Sequence, residues 1–217
     1  MKETIKKVVL LGPQGSGKST QTKIIADFLG IRIVTTSQLL QEVVAKQTDL
    51  GRKIEATMNQ GSLIPDEYVI NLVFNELRDN NCFQSGFLLD GFPRNLVQAK
   101  ALDGSGGLDK VFNLDISDAE AVIRISGRRI CDNGHIFHIK HKPPKQSEVC
   151  DICKGELYQR EDDHEEAVAR RLKIYREETA QLLDYYSKQN KLVLFDGEKS
   201  ITEVSEDILK YLKEHVG

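Results

Sequence analysis

Gly12-Pro13-Gln14-Gly15-Ser16-Gly17-Lys18-Ser19-Thr20 matches the pattern G-x-x-x-x-G-K-[ST] at every fixed position. Val8-Val9-Leu10-Leu11 before it is an apolar run of buried-strand length, and Ile24, Ile25, Phe28 and Leu29 after it recur at helical spacing. Strand, glycine loop and helix is the context the pattern requires, and a chance glycine-rich turn would lack those flanks. The glycines let backbone N–H groups turn inward on a phosphate chain, and the helix presents its positive end. Lys18 is placed to reach the terminal phosphates and the Ser19 hydroxyl to sit near Mg²⁺. Gly15, Ser16, Gly17, Lys18, Ser19 and Thr20 are therefore read as the cradle of a nucleoside triphosphate.

Downstream, Ile31-Arg32-Ile33-Val34 reads as a second strand, and Thr35-Thr36-Ser37 offers N-cap chemistry for a helix over 38–46. Residues 51–60 look like a short helix closed by Gly61. Pro65-Asp66 opens a longer one with Val69, Ile70, Val73, Phe74 and Leu77 on one face. Gly86-Phe87-Leu88-Leu89-Asp90 is a buried strand ending in a carboxylate. A helix over about 96–102, a glycine-rich turn at 103–107, and a strand over 111–115 follow. Asp118 is read as the cap of the next helix, which ends near Gly127. A long helix over about 163–188, a strand over 192–195 and a terminal helix through Ile208, Leu209 and Leu212 complete the chain.

Strands alternating with helices predict an α/β fold, a P-loop NTPase-type parallel five-stranded sheet flanked by helices. The segments 36–64 and 128–160 do not fit those layers and read as insertions over the ligand crevice. The core is then 1–35, 65–127 and 161–217.

At 217 residues, 40% hydrophobic and 29% charged, the composition is that of a soluble globular protein with a sizeable core. A formal charge of −3 argues against a broad nucleic-acid or membrane surface. The apolar run behind Lys2, Lys6 and Lys7 is too short for a secretory leader, and no stretch approaches membrane-spanning length. A cytoplasmic location is expected. In that setting four cysteines point to metal or catalysis rather than disulfides. Cys82 stands alone, near the end of a predicted helix, as a small buried hydrophobe. Cys150-x-x-Cys153 is a metal-knuckle spacing, and Cys131 lies at the separation typical of paired zinc half-sites. His135 is the best fourth ligand for a structural Zn²⁺, ahead of Asp132 and His138. The alternative is a hydrogen-bonded segment with no metal.

With the phosphate loop, Gly127-Arg128-Arg129 and the run from Arg160 to Arg171, the stretch Gly86-Phe87-Leu88-Leu89-Asp90-Gly91-Phe92-Pro93-Arg94 strongly resembles adenylate kinase and its nucleoside monophosphate kinase relatives. The resemblance covers nearly the whole chain. It implies a core that binds ATP, a helical monophosphate-binding insertion at 36–64 and a lid at 128–160. The implied reaction is Mg²⁺-dependent transfer of the ATP γ-phosphoryl group to AMP by a monomer. By the same resemblance Lys18 contacts ATP phosphates, Arg94 holds the AMP phosphate, and Arg128, Arg160 and Arg171 converge on the transferring group. Arg124 would stack on the ATP base, and Lys199 belongs to the ATP side. Asp90 would order Mg²⁺ through water, and Asp162 and Asp163 would help close the lid. Gln98 would read adenine of AMP beside Thr36, with Gln41, Ser62, Ile64 and Gly91 completing that side. Many lids of the family carry two Cys-x-x-Cys pairs; here His135 follows Cys131 in place of the missing cysteine.

The chain departs from the family pattern at four places. Proline precedes Gln14 rather than the second glycine, Ser19 stands where glycine is common, and 102–108 is short. The fourth is Gln41, which replaces an arginine that grips the monophosphate. Lys46, Arg52 or Lys53 compensates for it, or the acceptor site is weakened. Alternative readings are a kinase for another monophosphate, a nucleotide-binding protein with weak activity, or a zinc-knuckle nucleic-acid binder. The last is disfavoured by the charge and by the lack of an aromatic-studded basic face.

Overall fold

The computed structural model describes residues 4–59, 64–160 and 163–216. In chain order the elements begin with β1 (Lys7–Leu11), α1 (Lys18–Leu29), β2 (Arg32–Thr35), α2 (Thr36–Ala45) and α3 (Asp49–Asn59). Then come α4 (Asp66–Asp79), α5 (Cys82–Ser85), β3 (Phe87–Asp90), α6 (Leu96–Gly104), β4 (Lys110–Asp115) and α7 (Asp118–Ser126). The remainder is β5 (Arg128–Ile130), β6 (Ile136–His138), α8 (Glu165–Ile174), a π-helical turn (Tyr175–Thr179), α9 (Ala180–Ser187), β7 (Leu192–Asp196) and α10 (Ile201–His215).

Five strands form one sheet in the order β2-β3-β1-β4-β7, every neighbouring pair parallel, as the strand–helix alternation predicts. Residue alternation sends side chains to two separate cores. Val8 and Leu10 of β1, Leu88 of β3, and Phe112 and Leu114 of β4 face α1 and α10, packing on Ile25, Val204, Ile208 and Leu212. Val9 and Leu11, Phe87 and Leu89, and Val111 face the other way, onto Val73 and Leu77 of α4, Leu102 of α6, and Leu182 and Tyr186 of α9. Strands buried on both faces explain the near-continuous apolar runs in the sequence.

Several boundaries differ from the sequence reading, each for a local reason. Ser117, not Asp118, caps α7, its hydroxyl accepting from Glu120 N at 3.3 Å; the two neighbours are equally able caps, and the chain enters the helix one residue earlier. Thr36 lies inside α2 rather than capping it, and Thr35 caps with no side-chain bond. Cys82 begins a short helix instead of ending one, and is fully buried. The long helix over 163–188 is interrupted by the π-helical turn. Gly61, read as closing the 51–60 helix, lies outside the described residues.

Between α7 and α8 the chain forms a separate antiparallel ribbon, β5 on β6, with further bridges Ile130–Tyr158, Gln146–Val149 and Val149–Glu156. Its own apolar core is small: Phe137 and Leu157 with Cys131 and Cys150. It is anchored at its base by His138. The ring lies so close to Gly127 that a Cβ there would come within 2.4 Å of Nε2. His138 Nδ1 accepts from Lys140 N and His141 N, each at 3.0 Å, so the ring proton sits on Nε2 and points at Ile123 O, 3.3 Å away. Burial holds this imidazole below its ordinary pKa.

Candidate active site and lid metal centre

The glycine loop turns between β1 and α1 as its residues dictate. Gly12 has φ 145°, and a Cβ there would stand 2.5 Å from Leu114 O and 2.6 Å from Ser16 Oγ, so only glycine lets the loop start against β4. The Ser16 hydroxyl and Gln14 Oε1 are buried without hydrogen-bond partners among the described residues. Lys18 folds back over the loop, Nζ donating to Gly12 O at 2.7 Å and Pro13 O at 2.8 Å. Ser19 and Thr20 are exposed at the start of α1.

Four ionisable groups from three parts of the chain share one field at the loop's mouth. Burial lowers Lys18 to about 8; nearby Asp90 opposes the shift, while Arg94 and Arg171 add to it. Burial raises the Asp90 carboxyl against the pull of Lys18 and Arg94. Burial also lowers Arg94, with Asp90 opposing. Asp90 owes its position to β3, where it pairs in register with Leu10 on one side and Thr35 on the other. A mutually perturbed cluster at the carboxyl ends of parallel strands is where such folds bind ligands.

At the β3 end of this cluster, Arg94 Nε donates to Gly91 O at 3.1 Å. A Cβ at Gly91 would lie 3.6 Å from both Arg94 Nη2 and Thr36 Cβ, so those three residues meet at one point. Thr36 Oγ1 is buried without a partner among the described residues. Gln98 is 3% exposed, and its amide is held at both ends: Arg94 N donates to Oε1 at 2.8 Å, and Nε2 donates to Asp66 Oδ1 at 2.7 Å. Ile64 is half-buried against the core, and Ser62 lies outside the described residues. Gln41 is exposed on α2, in a shallow depression with Gln38, Glu42 and Ala45. Of the cations considered as substitutes for the missing arginine, Arg52 is engaged locally with Gln47 O and Asp49.

The remaining arginines are held by specific partners. Arg128 Nε donates to Asp163 Oδ2 at 2.8 Å and Nη2 to Oδ1, with the carboxylate fully buried. Arg124 pairs with Glu120 at 2.6 Å and donates to Gly197 O and Glu198 O, while its Cβ lies against the loop at Gly15. Lys199 is on the exterior, paired with Asp207 at 2.7 Å. Arg160 is exposed at the end of the ribbon, Arg171 is carried by α8, and Asp162 lies outside the described residues. Three contacts had no sequence signal: the Asp66 anchor of Gln98, the Thr179 hydroxyl donating to Arg94 O at 3.0 Å, and the carbonyls that hold Arg124. Each depends on how side chains aim after folding.

In the ribbon, Cys131, His135, Cys150 and Cys153 bring one ligand atom each to within 4.8 Å of one another. His135 Nδ1 is 3.4 Å from Cys131 Sγ and 3.5 Å from Cys150 Sγ; Cys153 Sγ is 3.5 Å from Cys131 Sγ. Zn–S bonds of about 2.3 Å in a tetrahedron put sulfurs about 3.8 Å apart, so the set is close to a zinc shell. Cys153 N points at Cys150 Sγ at 3.5 Å, and Lys154 takes φ 63° so that the turn can close back on the sulfur. Asn133 and Gly155 hydrogen bonds, with His135, hold the Cys153 thiol down to about 6, while burial raises Cys131. Asp132 and His138 are outside the cluster.

The chain matches the family model described as adenylate kinase over residues 10–191. It is 43% identical to adenylate kinase of Caldicellulosiruptor saccharolyticus over 212 residues, covering 95% of this chain and 98% of that protein. It is 44% identical to adenylate kinase of Methanosarcina barkeri over 211 residues, with 95% and 98% covered. Identity to adenylate kinase of Streptomyces avermitilis is 44% over 214 residues, with 95% and 97% covered.

Proposed function

The chain belongs to the adenylate kinase family, and from that premise we propose how its residues divide the work of the reaction. The reaction is reversible transfer of the γ-phosphoryl group of ATP, used as its Mg²⁺ complex, to AMP, giving two ADP. The AMP phosphate is already an anion at neutral pH, so attack needs no general base. The obstacles are alignment and the repulsion of two polyanions, which for unit charges about 4 Å apart near a protein surface is on the order of 4 kcal/mol. Positioned cations are therefore the main requirement.

The observation that carries the assignment of roles is the shared field of Lys18, Asp90, Arg94 and Arg171. Lys18 leaves the carbonyls of Gly12 and Pro13 for the β- and γ-phosphates, with Gly15, Ser16, Gly17, Ser19 and Thr20 lining the phosphate chain. Arg94 holds the AMP phosphate, and Arg128, Arg160 and Arg171 close on the equatorial oxygens. Arg124, fixed over Gly15, faces the ATP base, and Lys199 contributes at the edge of that pocket. Thr36, Gln41, Ser62, Ile64, Gly91 and Gln98 receive AMP. The Asp90 carboxylate and the Ser19 hydroxyl are hard oxygen donors suited to Mg²⁺, which neutralises phosphate charge when bound.

Residues 36–64 act as the acceptor flap and 128–160 as a lid over a core of 1–35, 65–127 and 161–217. Structural Zn²⁺ in Cys131, His135, Cys150 and Cys153 holds the lid, which otherwise has only Phe137 and Leu157 as core. The chain works as a monomer, as the family resemblance implies. It acts in the cytoplasm, without nucleic acid or membrane, a reading that rests on its formal charge of −3. A coupled assay of ADP formation offering AMP, GMP, CMP and UMP tests the acceptor: AMP is expected to dominate, and preference for another base would overturn that assignment.

A further inference from the structure

The geometry points to Asp66 as the residue that fixes which way round the Gln98 amide presents its oxygen and nitrogen, and thereby as a determinant of adenine over guanine at the acceptor site. This rests on the reading that Gln98 faces the acceptor base.

The hydrogen bonds around Gln98 run in one direction. Gln98 N donates to Asn95 Oδ1 at 3.1 Å, which leaves Asn95 Nδ2 as a donor, and it gives to Asp66 Oδ1 and Oδ2 at 2.9 and 3.0 Å. Gln98 Nε2 also donates to Asp66, at 2.7 Å, while Arg94 N donates to Gln98 Oε1 at 2.8 Å. An ionised carboxylate can only accept and a backbone N–H can only donate, so the amide has a single satisfied orientation. Each end of a primary amide has one more position to offer: a lone pair on Oε1 and a proton on Nε2. Adenine presents a donor at N6 beside an acceptor at N1; guanine presents the reverse order at O6 and N1. A free amide flips to suit either base; an anchored one suits only one of them, and that base is adenine where its six-position lies against Oε1. The Thr36 hydroxyl, which meets Gly91 beside Arg94, is also buried without a partner among the described residues.

Asp66→Asn is a control, because its single amide oxygen can go on accepting from both Asn95 Nδ2 and Gln98 Nε2, as Asp66 Oδ1 does, and it should keep the base preference. Asp66→Leu tests the proposal, since it leaves no acceptor at position 66 for Gln98 Nε2. The AMP:GMP ratio of kcat/KM is expected to fall on the order of tenfold, through a raised KM for AMP, with the KM for ATP unmoved. Asp66→Ala removes the acceptor without adding a donor and should lower the same ratio, which a general loss of folding leaves unchanged. Gln98→Ala separates the two layers of the argument. If it collapses the ratio while Asp66→Leu and Asp66→Ala both keep it, the proposal is overturned and Gln98 still reads the base. If Gln98→Ala itself leaves the ratio unchanged, the reading beneath it fails. The wild type offers a test without substitution: by NMR the Gln98 side-chain amide protons should exchange slowly with solvent, and free exchange contradicts the anchor.

Discussion

Asp163, with no exposed side-chain surface, holds Arg128 through two hydrogen bonds, and the Arg128 side chain keeps 23% of its surface exposed. The pair ties the first strand of the ribbon to a residue two positions before α8, so it sets where the ribbon leaves the core. Its two halves are unequal. Arg128→Ala leaves a carboxylate buried and unpaired, which should cost about 3–5 kcal/mol in denaturant unfolding. Asp163→Ala leaves a guanidinium that can swing to water and should cost clearly less. Equal losses would contradict this asymmetry.

Lys18 gives a pH signature. Its ligand-free pKa of about 8 lies below the ordinary 10.5, so the unfolded chain binds more protons between those values. The cost of its buried charge is fully present below about 8 and is relieved as pH rises through that window. Phosphate oxygens favour the charged amine, so ATP binding at pH 8 should take up about half a proton. Calorimetry in buffers of different ionisation enthalpy reads that uptake. Lys18→Met should abolish it, and buffer-independent heats for the wild type would contradict the assignment.

One zinc per chain is expected by elemental analysis after gel filtration. Cys150→Ala should lose it and lower the melting temperature of the ribbon while β1 to β4 and β7 stay assembled. His135→Cys should retain it as a four-cysteine site, and His138→Ala should retain it unchanged. Full metal in Cys150→Ala would remove this site.

Gln41 faces solvent on α2, and Arg52 is occupied by Gln47 and Asp49. Gln41→Arg should therefore lower the KM for AMP roughly tenfold, the worth of one charge-assisted contact, and leave the KM for ATP alone. An unchanged AMP KM would show that Arg94 suffices.

The sheet was legible because Val8 to Leu11 and Phe87 to Leu89 must be buried on both faces, and the Lys18 loop names its own flanks. The Cys150–Cys153 spacing and the separation to Cys131 located three sulfurs, and His135, ranked ahead of Asp132 and His138, is the residue that joins them. The π-helical turn was not legible: Tyr175 to Thr179 keeps helical composition, and the contacts made there, Arg176 to Asp118 and Ile116 O and Thr179 to Arg94 O, are with residues distant in sequence. Nor was the link between Asp66 and Gln98, residues 32 positions apart, because nothing in local pattern reports which acceptor a buried amide will meet. Ser117 and Asp118 show the limit at an element end, where two adjacent residues can serve as cap and only the path of the chain chooses.

The most direct measurement follows the phosphorus. Incubating the protein with γ-labelled ATP, Mg²⁺ and unlabelled AMP, then quenching within the first turnover, should put the label in the β-phosphate of the ADP formed from AMP. No label should appear in inorganic phosphate or on the protein. Label in inorganic phosphate, on the protein, or still wholly in ATP would contradict direct transfer between the two nucleotides.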